Sequence, residues 1–428
     1  MSRAFQRIAM PAGAALLVAL AAAPSAAAAP DDAPGLWYYT QPGLEQVHER
    51  TTGEGITIAM LDTAINPDVP ELVGTGLEVH EPSYCAASEG GPALPATTTG
   101  PLAQHATSIA SMLVGSGNGV DGQPGVRGVA PGAKLIAFAN LSIAEDRACL
   151  ATADQVGTRA AAVSFRDAVA SGANIINVSA TLDMDTDDYV AALREGVIVV
   201  GAAGNTGGIV TGWPATLNGA VAVGTARPDM TLDPGSPSGP ELGVIAPGAE
   251  VRCLDGTFAT YAYCTGSSQA TAYVSGALAL VWSAYPDATA NQILQSLVRN
   301  TDGEAEHEPV HDESWGYGAV NVRLMLESDP TSYPDVNPFI RTGPDEIPSA
   351  SALLAETAPE APANPAPNSD APSTDDPQEA GLPGGVITAV AVVVLLALVV
   401  AGVLLVRRRS ATAPTHHAPS TDRGGHRG

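Results

Sequence analysis

From Gly55 to Leu326, short apolar runs rich in β-branched residues alternate with stretches of helical periodicity, and this alternation limits the fold more than any other feature. The runs are ITIAMLD (56–62), KLIAFAN (134–140), NIINVSA (174–180), VIVVGAAG (197–204) and AVAVGTA (220–226). The helical stretches are QHATSIASMLVG (104–115), DQVGTRAAAVSFRDAVASG (154–172), DDYVAALREG (187–196), TGSSQATAYVSGALALVWSAYP (265–286) and TANQILQSLVRN (289–300). Strands that are apolar on both faces need cover on both faces, and helices between them supply it. The expected fold is α/β, a parallel central sheet with helices on both faces.

The flanks have other compositions. Arg3 and Arg7 precede an apolar run and a small-residue stretch with Ala-x-Ala sites near Ala27 to Ala29, which reads as a signal peptide over 1–29. Residues 30–54 form a short N-terminal extension and 55–328 the globular domain. Residues 329–385 are rich in Pro, Ala, Ser and acidic residues, a composition that buries little apolar surface and predicts an extended stalk. The uncharged run VITAVAVVVLLALVVAGVLLV (386–406) has the length of a membrane-spanning helix. Arg407, Arg408 and Arg409 follow it, so the basic tail 407–428 is expected in the cytoplasm and the domain outside. A sortase-type anchor is the rival, but LPGGV (382–386) lacks its threonine.

The 428 residues carry a formal net charge of −26, and between signal and membrane run 12 basic residues face 44 acidic ones. So acidic a surface excludes nucleic acid as partner. All four cysteines lie in the part expected outside the membrane, where disulfides persist. Three pairings are open; proximity in sequence favours Cys253–Cys264 across a hairpin-like stretch and Cys85–Cys149 across two loops.

In an open parallel sheet, functional groups gather where strands end. Asp62 ends the first run, His105 opens a helix, and Asn205 sits in the glycine-rich turn after VIVVGAAG. Ser267 and Ser268 open the long apolar helix, where serine is a preferred N-cap whatever else it does. Plain structural roles exist for each residue alone: a turn, a helix start, a left-handed turn. Taken together, Asp62, His105, Ser268 and Asn205 supply orienting acid, base, nucleophile and oxyanion donor, the set acyl transfer needs. Their chain order is Asp, His, Ser.

That order and several segments resemble the subtilisin-like serine protease family over about 36–326. The segments are GVAPGAKLIAFA (128–139), NIINVS (174–179), VIVVGAAGN (197–205), VIAPGAEV (244–251) and WGYGAVNV (315–322). The resemblance implies that Ser268, in Gly266-Ser267-Ser268, is the nucleophile, with Ser267 in the family's threonine place. It implies Asn205 as oxyanion donor, Ser179, Ala180, Thr181 and Gly204 as substrate-binding positions, a polypeptide substrate, and no cofactor. Signal, stalk, membrane helix and basic tail together are similar to the mycosin subgroup associated with type VII secretion, which implies secretion-system proteins as partners. The chain departs from the family pattern at Ala64, Ala106 and Ser267 and in SATLD (179–183), which lacks the usual glycines. These departures leave a second reading, a catalytically silent scaffold of a secretion assembly.

Two motif matches are set aside. HEPVH (307–311) has the zincin pattern, but Pro309 breaks the helix it needs, so no metal site is expected. GNGVDG (117–122) follows a helix instead of a strand and reads as a loop.

Overall fold

The computed structural model describes residues 33–141, 149–155 and 159–355. Seven strands form the main sheet: β1 (Thr57–Asp62), β2 (Leu77–His80), β3 (Lys134–Ala139), β4 (Ile175–Val178), β5 (Ile198–Ala202), β6 (Val221–Ala226) and β7 (Leu242–Pro247). Their order is β2-β3-β1-β4-β5-β6-β7, and every neighbouring pair is parallel. All seven therefore end on the same edge of the sheet.

Period-two alternation divides the strand residues between two apolar layers. Ile58, Met60, Val200 and Val223 face one layer, covered by α1 (Gln104–Val114) and α4 (Ser267–Ala284) through Ile109, Leu113, Val274 and Leu278. Ala59, Leu61, Ile176 and Val199 face the other, covered by α2 (Ala160–Ala170) and α3 (Thr186–Arg194) through Phe165, Ala168 and Tyr189. The central helix α4 is buried continuously from Ser267 to Trp282, so Leu278→Ala there costs about 2–5 kcal/mol. Gly276 lies in its middle because a Cβ would sit 2.7 Å from Val129 Cβ, and that close contact offsets the roughly 1 kcal/mol helix penalty of glycine. A fifth helix, α5 (Ala290–Arg299), starts on a capping box between Thr289 and Gln292.

Two antiparallel hairpins flank the sheet. GNGVDG forms the turn region of the first, Ser116–Asn118 with Pro124–Arg127. The second, Val251–Leu254 with Tyr261–Cys264, is bridged by Cys253–Cys264 with Cα atoms 5.9 Å apart. Cys85–Cys149 is the other disulfide, its Cα atoms 4.8 Å apart, so both pairings follow sequence proximity.

The chain packs on the domain at both of its ends. The N-terminal extension belongs to the core: Tyr38 and Leu44 are fully buried, and the Tyr38 hydroxyl donates to Arg127 O at 2.6 Å. Of the expected stalk, 329–385, the described part 329–355 packs on the domain. Phe339 and Leu353 are buried, and the fully buried Asn218 donates its amide to Arg341 O and Pro348 O, each at 3.0 Å. Residues 1–29 and 386–406, the expected signal and membrane helix, fall outside the described residues, as does most of the expected stalk and all of the tail.

Candidate active site

Asp62 is the last residue of β1 and is fully buried, delivered to the sheet edge by the apolar run before it. Its Oδ1 accepts the Thr63 amide at 2.6 Å. His105, second residue of α1, places Nδ1 2.7 Å from Asp62 Oδ1 and 3.0 Å from Oδ2. The carboxylate raises the imidazole above its ordinary pKa, outweighing the opposite effect of burial. With Nδ1–H donated to the acid, the neutral ring keeps its lone pair on Nε2. The ring is also accessible, with 39% of the side chain exposed.

Ser268, second residue of α4, donates Oγ–H to Ser179 O at 2.8 Å. Among the described residues no hydrogen bond joins it to His105. The β1–β4 register pairs Met60 with Asn177, so β1 and β4 are neighbours at the sheet edge where Asp62 ends one strand and Ser179 follows the other. The serine therefore rests on the residue that follows β4, the strand next to the one that carries Asp62. Neither serine caps α4: the N-cap is Gly266, which has no side chain to offer. Free N–H groups and positive potential at such an end favour a developing anion.

Ser267 does something the sequence did not disclose. Its Oγ–H donates to Asn205 Oδ1 at 3.0 Å, its N–H donates to the same oxygen at 2.7 Å, and its Oγ accepts the Gly204 amide at 3.1 Å. With Oδ1 committed, Asn205 Nδ2 remains as the donor beside Gly266. The motif's second hydroxyl was visible in the sequence; that it holds the asparagine was not.

The expected substrate-binding residues separate into two kinds. Ser179 is buried, its Oγ within 3.0 Å of both Ser268 O and Asn177 Oδ1, so its side chain braces the turn that carries Ser268. Gly204 is likewise tied to Ser267. Ala180 is half-buried and Thr181 exposed, and Thr181 lies against Gly212 while the Leu182 amide donates to Trp213 O at 2.9 Å. Ala64 does not adopt a positive φ, so it carries no left-handed strain. Ala106 is buried inside α1. His307 and His311, on a segment without helix, contact Thr301 and Leu242 O respectively, and no group of three or more potential ligands is arranged for a metal among the described residues.

A doubly wound parallel sheet with a buried acid bonded to an accessible imidazole and a helix-opening serine at its carboxyl edge defines a hydrolase-like α/β domain of the Asp-His-Ser order. The chain belongs to the subtilase family, whose pattern its residues 53–318 match. It is similar to the thermostable alkaline protease of Halalkalibacterium halodurans, 31% identical over 61% of this chain and 66% of that protein, which is just under two thirds of its length. It is also similar to subtilisin BL of Lederbergia lenta, 31% identical over 62% of this chain and 90% of that protein. In fold it resembles MycP1 from the ESX-1 type VII secretion system, at 21% identity and a TM-score of 0.53 over 74% of this chain and 91% of that one.

Proposed function

We propose that this chain is an exported, membrane-held serine endopeptidase that cleaves polypeptides through an acyl-enzyme on Ser268. The observation that carries the reading is the contact between buried Asp62 and His105 Nδ1, which leaves Nε2 as a base beside a helix-opening serine. Rotation about the Ser268 Cα–Cβ bond exchanges the Ser179 carbonyl for His105 Nε2 as acceptor. Nε2 then takes the hydroxyl proton as Oγ bonds to the scissile carbonyl carbon, and Asp62 steadies the imidazolium. The oxyanion receives the Ser268 N–H and Asn205 Nδ2, donors already oriented before charge develops. His105 passes the proton to the leaving amine, and water reverses the sequence to release the acid.

Export and anchoring rest on the sequence of 1–29 and 386–406, with the domain outside and 407–428 in the cytoplasm. The fold likeness to MycP1 supports secretion-system proteins as partners. A silent scaffold is the second reading, favoured by the Ser268 hydroxyl's commitment to Ser179 O. A fluorophosphonate probe separates the two. Covalent labelling of the folded chain that disappears in Ser268→Ala supports the enzyme; a folded chain that never labels refutes it.

A further inference from the structure

Glu71 is an acid the mechanism does not use, yet it is fully buried nine residues beyond Asp62. Its Oε1 accepts the Tyr261 hydroxyl at 2.5 Å, and its Oε2 is buried without a hydrogen-bond partner. The same Tyr261 oxygen accepts the Val120 amide at 2.9 Å. Gly119 permits this approach, because a Cβ there would collide with the Tyr261 hydroxyl and with Gln123 O. Arg252 stacks its guanidinium 3.6 Å from the Tyr261 ring centroid and donates Nε–H to Pro124 O at 2.9 Å. Burial raises the Glu71 pKa, opposed in turn by the Tyr261 hydrogen bond, by the backbone amides of Glu71 and Val126, and by the Arg252 charge.

The three partners come from three places in the chain. Glu71 lies on the segment leaving Asp62, Val120 on the hairpin that follows the His105 helix, and Tyr261 on the strand that leads into Ser268. A second tie supports the first: Gln104, beside His105, donates Nε2–H to Leu254 O in the Tyr261 hairpin at 3.2 Å. We infer that Tyr261 is a positioning residue whose hydroxyl, shared between Glu71 and Val120, holds the three segments bearing Asp62, His105 and Ser268 in one register. The inference rests on the acyl-transfer reading of the site for its effect on turnover. The coupling of the three segments is independent of it.

The test uses Tyr261→Phe, which removes only the shared oxygen, and Glu71→Gln, which keeps an acceptor for it. Turnover is counted per active site titrated with fluorophosphonate, alongside amide hydrogen exchange. Tyr261→Phe is expected to lower kcat about tenfold with KM within about twofold, the signature of misplaced groups. Glu71→Gln is expected to stay within about threefold of wild type. Exchange in Tyr261→Phe should quicken together in 63–72, 115–127 and 261–267. Unchanged kcat per titrated site overturns the positioning role, and quickened exchange confined to 261–264 overturns the coupling. If Tyr261→Phe does not fold, Gly119→Ala, which pushes the Val120 loop off the hydroxyl, carries the same expectations. A folded wild type that does not label defeats the acyl-transfer reading alone, and the exchange pattern still decides the coupling.

Discussion

Asp62→Asn removes one charge and keeps the shape of the side chain. The Thr63 amide, 2.6 Å from Oδ1, still demands an acceptor, so the new amide turns its oxygen to Thr63 and its NH2 toward His105 Nδ1. The imidazole is then forced to carry its proton on Nε2, where it cannot accept one from Ser268. The imidazolium of the transition state also loses its counter-charge. Unit charges about 4 Å apart at an effective dielectric of about 20 attract by about 4 kcal/mol, and the ring's 39% exposure reduces this to about 3. At about 1.4 kcal/mol per decade that is about a hundredfold, and the wrong tautomer adds at least about another decade. Total loss in kcat should be about 10³. The assay is kcat/KM for a chromogenic peptide across pH, per titrated active site. Asp62 holds His105 above the ordinary imidazole range, so wild type loses its base as pH falls through that raised value, and Asp62→Asn should move the acid limb to lower pH. In stability the sign is the reverse. The pair's contribution is complete below the ordinary imidazole value and lost as pH rises through the raised one, so wild type's advantage over Asp62→Asn fades toward alkaline pH. Activity within tenfold of wild type, or an acid limb displaced upward, refutes the reasoning.

Three further outcomes follow from the same structure. Ser267→Ala strips Asn205 of one of its two tethers and orphans the Gly204 amide, costing about 1–3 kcal/mol in urea unfolding and lowering kcat more than it raises KM, while Ser267→Thr restores both. A chain ended after residue 328 should unfold at lower urea than one ended after 355 by about 3 kcal/mol or more, since it loses buried Phe339 and Leu353 and the partners of Asn218; equal midpoints would contradict the packing described. Reducing the disulfides should cost up to about 4 kcal/mol for the loop of 64 residues and about 3 for the loop of 11, so Cys85→Ala/Cys149→Ala lowers the melting temperature more than Cys253→Ala/Cys264→Ala.

The sheet was legible where burial is continuous. Ile58 to Leu61 or Val221 to Ala226 leave no polar face, and their period and composition leave few alternatives to a covered strand. Leu77–His80 escaped notice because it is an edge strand of four residues with none fully buried. Leu242–Pro247 did so because Gly243 and Pro247 break its apolar pattern. The packing of 329–355 was hidden from composition for a different reason. That segment adheres through isolated apolar points and backbone carbonyls received by Asn218, and neither leaves a periodic trace. At the site, residue types singled out Asp62, His105, Ser268 and Asn205, and the fold brings Asp62 to His105 and Asn205 to the serine beside Ser268. The bracing by Ser179, the tether at Ser267 and the Glu71–Tyr261 node were hidden, because contacts across 89, 62 and 190 residues depend on the finished fold.

Asp62 and His105 stand 43 residues apart in the chain, and Ser268 lies far beyond both on α4, so the three come together only once β1, α1 and α4 have packed. On the acyl-transfer reading, a nascent or half-collapsed polypeptide therefore cannot yet attack its neighbours. In refolding, hydrolytic competence should emerge last, lagging intrinsic tryptophan fluorescence, because it reports closure of the whole sheet and not the formation of any one piece.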